Sequence, residues 1–377
     1  MDRPRGHITE RLDDDETPGH TEEEDRGDPT LSRYRVVEEI GKGGMGRVLE
    51  AQDGSLLRAV ALKVIRSREP VEASRFAIEA QITGQLDHPS VLPVYDYGQD
   101  RQGNPYFTMK LVRGHRSLAD VIESIARNEP SARRWTFRKR VMLIQEVCRA
   151  LHYAHMRGVV HRDVKPENVV LGGFGEVYLV DWGVARLSGQ GQVRPVAVDP
   201  QVARVVDGSE RDMIVGTPLF MSPEVVAGAP AAARDDVYAL VATLFELLCL
   251  HHYLVTPSED VKALAYQIRE KKRTAPERFV DPIAGRVPRT LSVICLRGLS
   301  RDPADRFQDA KELEEALQAW LEGKNPVICP GTCMQRGMNE GRDLIDQHPV
   351  LVPAAVITFG VLFLAWVGYA SWVTLSR

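Results

Sequence analysis

The sequence lacks the features of a secreted, disulfide-bonded or nucleic-acid-binding protein. Its five cysteines follow no framework spacing, and three of them lie in apolar, helix-like segments, which predicts reduced core thiols: Cys148, Cys249 and Cys295. Cys329 and Cys333 do not complete a tetrahedral zinc site, because no second pair follows them. There is no apolar segment near the N-terminus to serve as a secretory signal, and no basic run to bind nucleic acid.

Charge is unevenly spread along the chain. The 377 residues have a formal net charge of −4, yet residues 1–30 alone hold eleven acids and four bases. This segment contains almost no large apolar residues, so burial cannot offset the entropy lost on ordering it. We expect an acidic disordered tail over 1–33, with an acidic docking segment as the alternative.

Long apolar runs are missing until the C-terminus, where 349–376 carries no charged residue. About 20 apolar residues cross a bilayer, and aromatic side chains are favoured at its interfaces, as at Trp366 and Trp372. The pattern predicts a transmembrane helix over 349–375 and a juxtamembrane linker over 323–348. A buried helix of the soluble domain is the alternative.

Between these ends the periodicity changes from strand-like to helix-like. Apolar runs and glycine turns predict strands up to about residue 112, interrupted by a helix at 71–86. Apolar residues spaced by three and four then predict further helices, at 136–157, 235–251, 260–271, 290–299 and 308–322. An extended loop is expected after the strand that ends at Asp181. The sequence therefore predicts an α+β protein with a small β-rich lobe and a larger helical lobe.

The glycine-rich stretch GKGGMG begins at Gly41 and lies between two predicted strands. Glycines at this spacing let backbone N–H groups approach a phosphate chain without interference from Cβ atoms. A dinucleotide-binding turn would lead into a helix, and a strand follows here instead. The stretch is a candidate phosphate-binding loop.

Lys63 stands in the apolar strand VALKVI and therefore needs a partner or an exposed edge. Glu79, on the next predicted helix, supplies a carboxylate for an ion pair that would direct the ammonium towards nucleotide phosphates. An ordinary lysine on an edge strand is the alternative.

The motif HRDVKPENVV, which starts at His161, combines an acid, a cation and an amide. Asn168 and Asp181 offer the hard oxygen ligands that magnesium prefers. Asp163 is then available to accept a proton from an attacking hydroxyl, and Lys165 to neutralise a transferring phosphoryl group. Each residue alone could be a turn or helix cap, but together they indicate phosphoryl transfer.

With these motifs the chain resembles eukaryotic-type (Hanks-type) serine/threonine protein kinases over roughly 34–322. Its sequence in several stretches is similar to that of bacterial, membrane-anchored members. Further matching stretches are DWG, GTPLFMSPE, DDVYAL and RDPADRF. The resemblance implies a bilobal protein-kinase-like fold, with an N-lobe over 34–112 and a C-lobe over 113–322. It also implies that Asp236 anchors the catalytic loop and that Glu224 pairs with Arg306.

By the same resemblance the catalytic residues are Asp163, Lys165 and Asn168, and the metal ligands are Asn168 and Asp181. The implied nucleotide-binding residues are Ile40, Gly41, Lys42, Gly43, Gly44, Met45, Gly46, Val48, Ala61, Lys63, Glu79, Met109, Lys110 and Val112. The implied cofactors are ATP and Mg²⁺, with Mn²⁺ as an alternative metal.

Two residues depart from the family's usual pattern. Trp182 replaces a phenylalanine and is expected to fill the same apolar space beneath the Glu79 helix. Lys110 stands where the hinge usually has glutamate. This change costs little where adenine contacts the backbone of Lys110 and Val112.

The activation segment, 181–224, is poor in hydroxyl groups. Ser209 is its best-placed candidate for a phosphate that would pair with Arg162, and Thr217 is expected instead to contact Asp163 and Lys165. A segment that needs no phosphate is the alternative.

These features predict a membrane-anchored kinase that transfers the γ-phosphate of ATP to serine and threonine hydroxyls of proteins, itself included. Since ATP is cytosolic, the kinase domain is expected at the cell membrane, facing the cytoplasm. A nucleotide-binding pseudokinase scaffold and a small-molecule phosphotransferase are the alternatives. A homodimer is left open, although Gly360 and Gly368 are too far apart for GxxxG packing.

Overall fold

The computed structural model describes residues 33–324, except 44–45, 66, 68, 189–190, 210–215, 255–259 and 272. Residues 1–32, the predicted linker and the predicted transmembrane helix therefore lie outside the described residues, as do Gly44 and Met45. Within the described ranges, no helix is long and apolar enough to cross a membrane. Arg33, at the end of the predicted tail, is ion-paired with Asp53 at 3.0 Å and belongs to the folded part.

A five-stranded antiparallel sheet forms the N-lobe, in the order β1-β2-β3-β5-β4. Its strands are β1 (Tyr34–Gly43), β2 (Gly46–Asp53), β3 (Arg58–Val64), β4 (Val94–Gln99) and β5 (Pro105–Lys110). Because side chains alternate along a strand, the sheet has two apolar faces. Tyr34 and Leu62 belong to the cluster on one face, whereas Phe107 belongs to the other.

Helix α1 (Pro70–Gln85) covers the second face of the sheet. Phe76 of α1 and Phe107 of β5 lie with ring centroids 5.0 Å apart, and both are fully buried. The proline in the first turn suits a helix start, because its missing N–H would have no partner there. This packing fixes the helix that carries Glu79 above β3, which carries Lys63.

The C-lobe is mainly helical. Its elements are β6 (Arg116–Ser117), α2 (Leu118–Ala126), α3 (Phe137–Met156), β7 (Val159–Val160), β8 (Val169–Leu171), β9 (Val177–Leu179), β10 (Arg186–Leu187), α4 (Pro200–Ser209), α5 (Pro223–Val226), α6 (Ala233–Cys249), α7 (Val261–Glu270), β11 (Val280–Asp281), β12 (Gly285–Arg286), α8 (Arg289–Gly298) and α9 (Ala310–Leu321). The architecture is thus the predicted one, a β-rich lobe followed by a helical lobe.

Helices α3 and α6 form the centre of the C-lobe core. Helix α6 is buried along nearly its whole length, as its mostly apolar sequence VYALVATLFELL requires. It packs against α3, α8 and α9. The predicted burial of Cys148, Cys249 and Cys295 is confirmed, and burial raises the pKa of each thiol well above its ordinary value.

The predicted extended loop after Asp181 is wrong in part, because α4 lies within it. Asp199 accepts a hydrogen bond from the N–H of Gln201, and Pro200 occupies the first helical position. This is a helix-start pattern. Val206 is buried and Val202 is half-buried in the core cluster that includes residues of α1. Packing of this apolar stripe on α1 stabilises a helix that is short and rich in β-branched residues.

Candidate active site

Lys63 and Glu79 form an ion pair at the junction of β3 and α1. Nζ of Lys63 lies 2.6 Å from Oε1 and 2.7 Å from Oε2 of Glu79. It also lies 4.0 Å from Oδ1 of Asp181. Burial alone would lower the pKa of Lys63, but the charges of Glu79 and Asp181 outweigh it and raise that pKa above its ordinary value. Lys63 is therefore a charged, positioned ammonium, and the predicted pairing with Glu79 is confirmed.

The carboxylate of Asp163 lies at the centre of the second cluster. Its Oδ2 accepts from Nζ of Lys165 at 2.7 Å and from Nδ2 of Asn168 at 3.0 Å. Its Oδ1 accepts from the backbone N–H and Oγ1 of Thr217, at 2.9 and 2.7 Å. Burial would raise the pKa of Asp163, but the bonds from Lys165 and Thr217 outweigh it and lower that pKa. The carboxylate is therefore ionised at neutral pH.

The catalytic-loop backbone is held by Asp236 of α6. Oδ2 of Asp236 accepts from the N–H of His161, and Oδ1 accepts from the N–H of Arg162, both at 2.8 Å. Nε2 of His155 lies 2.8 Å from the same carboxylate. Arg162 has a φ of 70°, a strained value for a residue with a side chain. Asp236 fixes this conformation, as predicted, and so sets the direction of Asp163.

His161 and Trp182 join the catalytic loop to the strand before Asp181. Nε2 of His161 donates to the carbonyl oxygen of Val180 at 3.1 Å, and Nδ1 accepts from the N–H of Asp163 at 3.2 Å. The Trp182 ring packs edge-on against His161, with centroids 4.5 Å apart, and is buried. Trp182 thus fills apolar space as predicted, and its Nε1 donates to the carbonyl oxygen of Leu179 at 3.2 Å.

Asn168 and Asp181 present oxygen atoms suited to a divalent cation. Nδ2 of Asn168 donates to both the backbone oxygen and the carboxylate of Asp163, which leaves Oδ1 as the amide's ligating atom. The Asp181 side chain is 48% exposed, at a residue with a φ of 65°. No group of three or more His, Cys, Asp or Glu side chains converges as a metal site in the part of the chain that the structure describes. Two oxygen ligands suit Mg²⁺, which usually takes the others from phosphates and water.

Several of the predicted nucleotide-binding residues lie on the N-lobe strands next to Lys63. In register, Gly41 faces Val48, and Val48 faces Lys63 across β1, β2 and β3. Ile40 lies at a register irregularity of β1. A Cβ atom at Gly46 would collide with the carbonyl oxygen of Val64. Glycine is therefore required at that turn, where β2 approaches β3. The side chain of Lys42 and residues 44–45 lie outside the described set.

Ala61 and Met109, two more of the predicted residues, are partners in the ladder between β3 and β5. Ala61 is buried. The N–H of Lys110 donates to the carbonyl oxygen of Pro93 at 3.1 Å. Its side chain points away towards β9, where Nζ donates to the Tyr178 hydroxyl. The Lys110 side chain is thus bonded to Tyr178. It is not directed at the backbone groups of the hinge, which were expected to contact adenine.

Comparison with known proteins identifies the chain's family. A model of the protein kinase domain matches residues 34–320. The chain belongs to the protein kinase family. It is similar to serine/threonine-protein kinase PknD of Chlamydia trachomatis serovar L2b (strain UCH-1/proctitis), with 34% identity over 323 residues that cover 81% of this chain and 33% of the relative.

Two further relatives of the kinase carry the same name. That of Protochlamydia amoebophila (strain UWE25) is 33% identical over 310 residues, which cover 78% of this chain and 30% of the relative. That of Chlamydia pneumoniae is 33% identical over 305 residues, which cover 78% of this chain and 31% of the relative. The chain therefore spans about a third of the length of these curated relatives. The resemblance to bacterial serine/threonine kinases is confirmed.

The kinase domain's predicted pairing of Glu224 with Arg306 is also confirmed. Nη1 and Nη2 of Arg306 each lie 2.8 Å from a carboxylate oxygen of Glu224. Arg306 is buried and also donates to the carbonyl oxygens of Ser300 and Arg301. This pair joins the end of the activation segment to the turn before α9.

Sequence reasoning missed several residues that support the site. His155 contacts Asp236, but the sequence gives no signal for it beyond its place at the end of a long helix. Gln81 and Gln85 of α1 bind the activation segment backbone. Gln81 and Gln85 are four residues apart and therefore lie on one face of the helix. This spacing, which begins two residues after Glu79, is the signal in the sequence that could have identified them.

Proposed function

We propose that this protein is a serine/threonine protein kinase that transfers the γ-phosphate of ATP to serine and threonine hydroxyls of proteins, including its own. The observation that carries the proposal is the placement of two cation–anion pairs, Lys63 with Asp181 and Lys165 with Asp163. The paired ammonium of Lys63 lies 4.0 Å from Asp181, and an ionised Asp163 is joined to Lys165, Asn168 and Thr217. Phosphoryl transfer needs one set of groups to hold the nucleotide phosphates and another to orient the attacking hydroxyl. Lys63 and Asp181 suit the first task, and Asp163 and Lys165 suit the second.

In this proposal Asp163 orients the attacking hydroxyl and receives its proton. Its lowered pKa makes it a weak base. A weak base suffices because the transition state of phosphoryl transfer is loose and depends mainly on positioning and charge. Lys165, held 2.7 Å from Asp163, neutralises negative charge on the transferring phosphoryl group. Lys63 holds the nucleotide phosphates from the opposite side.

We propose Mg²⁺ as the metal, held by Asp181 and by Oδ1 of Asn168. A bound Mg²⁺ would neutralise phosphate charge and orient the phosphates. This chain's own contribution is to fix the two ligands. Asn168 is oriented by its two bonds to Asp163, and Asp181 by its backbone conformation.

Phosphorylation of matched peptides tests the proposal. The full chain is incubated with γ-labelled ATP, magnesium and three peptides that differ only in a serine, threonine or tyrosine acceptor, beside Asp163→Asn. We expect label on the serine and threonine peptides from the parent alone. Label on none of them, despite ATP binding, would favour the pseudokinase scaffold. Label on the tyrosine peptide alone would contradict the assignment to serine and threonine.

We further propose that residues 349–375 anchor the kinase domain at the cytoplasmic face of the cell membrane. The support is the uncharged stretch 349–376, which exceeds the roughly 20 residues that a bilayer requires. The test compares the full chain with a chain that ends at residue 324 after cell fractionation and alkaline carbonate extraction. Retention in the membrane of the full chain alone is expected. Release of both would contradict the anchor.

A further inference from the structure

The stretch 191–206, which we call the docked segment, is hydrogen-bonded both to α1 of the N-lobe and to the end of α3 in the C-lobe. At one end it is fastened to the C-terminus of α3. The N–H groups of Gln192 and Val193 both donate to the carbonyl oxygen of Met156, at 2.9 and 3.0 Å, and the N–H of Val196 donates to that of Arg157 at 3.0 Å. Helix α3 leads directly into the catalytic loop. This end of the docked segment is therefore fastened to backbone groups six and seven residues before Asp163.

At its other end the docked segment is fastened to α1 by two glutamine side chains. Nε2 of Gln85 donates to the carbonyl oxygen of Ala197 at 2.6 Å, and Oε1 of Gln85 accepts from the N–H of the same residue at 3.1 Å. Oε1 of Gln81 accepts from the N–H of Asp199 at 2.9 Å. Nε2 of Gln85 also donates to the carbonyl oxygen of Gln81 at 2.8 Å. The primary amide is suited to this role, because it can donate to the carbonyl oxygen and accept from the N–H of the same residue.

The contact continues into an apolar interface. Beyond Asp199 the chain forms α4, which packs along α1. Val206 is buried in the same core cluster as Ile78 and Ile82 of α1. The glutamine bonds to Ala197 and Asp199 are exposed to solvent, and the packing of α4 on α1 continues the contact beside them.

From this geometry we infer that Gln81 and Gln85 are positioning residues: they fasten the docked segment to α1 and thereby hold Glu79 against Lys63. Glu79 is two residues before Gln81 and six before Gln85 on one helix, so a force on one is carried to the other. The docked segment ties this helix to α3 and hence to the loop that carries Asp163. Arg157 reinforces the link, since its guanidinium donates to the carbonyl oxygens of Gln85 and Arg194. The inference rests on the proposed function and concerns the regulation of that site.

A double-mutant cycle separates this role from a structural one. Gln81→Met/Gln85→Met keeps the side-chain volume and removes the hydrogen bonds. It is combined with Glu79→Gln in the full chain, and kcat and KM for ATP are measured. We expect the methionine pair to lower kcat/KM for ATP about tenfold in the parent, but less than about twofold in Glu79→Gln, where the ion pair is already lost. An equal fall in both backgrounds, or no fall in the parent, would overturn the inference.

Two further measurements complete the test. Gln201→Met is the matched control, since Gln201 is an exposed glutamine of the docked segment. It should leave kcat/KM unchanged. Amide hydrogen exchange is measured on the parent and the methionine pair and does not require an active enzyme. It therefore distinguishes failure of this inference from failure of the proposed function. The N–H groups of Ala197 and Asp199 bond to the two glutamines, so the methionine pair should speed their exchange and that of α1. Unchanged exchange at both places would overturn the inference, whether or not the parent is active.

Discussion

Thr217 and Asp163 share a short hydrogen bond that closes the activation segment onto the catalytic loop. Oγ1 of Thr217 donates to Oδ1 of Asp163 at 2.7 Å and accepts from Nζ of Lys165 at 2.7 Å. The hydroxyl thus joins an anion and a cation, which only a group that both donates and accepts can do. The adjacent Gly216 has a φ of 107°, and a Cβ there would lie 2.6 Å from the carbonyl oxygen of Arg162. The turn that places Thr217 therefore requires glycine.

Replacement of Thr217 by valine should lower kcat for phosphoryl transfer. The variant keeps the shape of the side chain but leaves Asp163 and Lys165 without their shared partner. Hydrogen bonds to charged groups contribute about 1.5–3 kcal/mol, so we expect a fall of about 10- to 100-fold. Thr217→Ser keeps the hydroxyl and should stay within about threefold of the parent. Steady-state kinetics of both variants provide the test, and a valine variant with parental kcat would refute this role for the hydroxyl.

Glu79→Gln should impair the use of ATP more than it destabilises the fold. The amide cannot neutralise Lys63, which is then drawn towards Asp181, the other anion within 4.0 Å. We expect kcat/KM for ATP to fall by about 10- to 100-fold. Glu72→Gln, on the exposed side of the same helix, serves as the control and should have no effect. Parental kinetics in Glu79→Gln would show that the ion pair is dispensable.

Arg306→Met should destabilise the C-lobe. The substitution leaves the Glu224 carboxylate, whose side chain is 20% exposed, without its cation. It also leaves the carbonyl oxygens of Ser300 and Arg301 without a donor. Loss of one partner of a buried ion pair costs about 3–5 kcal/mol in the free energy of unfolding. Urea unfolding measures this change, with the exposed Arg133→Met as the matched control. A loss below about 1 kcal/mol would mean that the pair contributes little.

Glu246→Gln should stabilise the protein above neutral pH. Burial and the charge of Glu167 raise the pKa of Glu246 from 4.5 to about 7. The folded protein therefore holds a proton that the unfolded chain releases, and the stability due to this proton is lost as pH rises through 7. We expect the glutamine variant to have a higher free energy of unfolding than the parent at about pH 8, with a smaller difference at about pH 5. An identical difference at both values would contradict the raised pKa.

Much of the fold and site follows from the sequence because the signals are local. The apolar periodicity of α3 and α6 gave their ends to within two residues. The lysine in an apolar strand required a partner, and Glu79 supplies it. The order of Asp163, Lys165 and Asn168 within six residues fixed their proximity before any fold was known.

The rest depends on contacts between distant parts of the chain. Helix α4 has few strong helix formers and is stabilised by packing on α1. No local sequence pattern predicts this packing. Gln85 lies 112 residues from Ala197, so their bond appears only in the folded chain. His155 supports Asp236 across 81 residues in the same way. A glutamine or a histidine on a helix surface has many other possible uses, and the sequence alone does not choose among them.

The most direct test of the central claim is autophosphorylation of the full chain with γ-labelled ATP and magnesium, beside Asp163→Asn. Phosphoamino acid analysis then identifies the acceptors. We predict phosphoserine and phosphothreonine from the parent, and none from the variant, because the ionised Asp163 is the group that orients the hydroxyl. Equal labelling of both proteins would contradict the role of Asp163. A parent that binds ATP but transfers no phosphate would contradict the assignment as an active kinase.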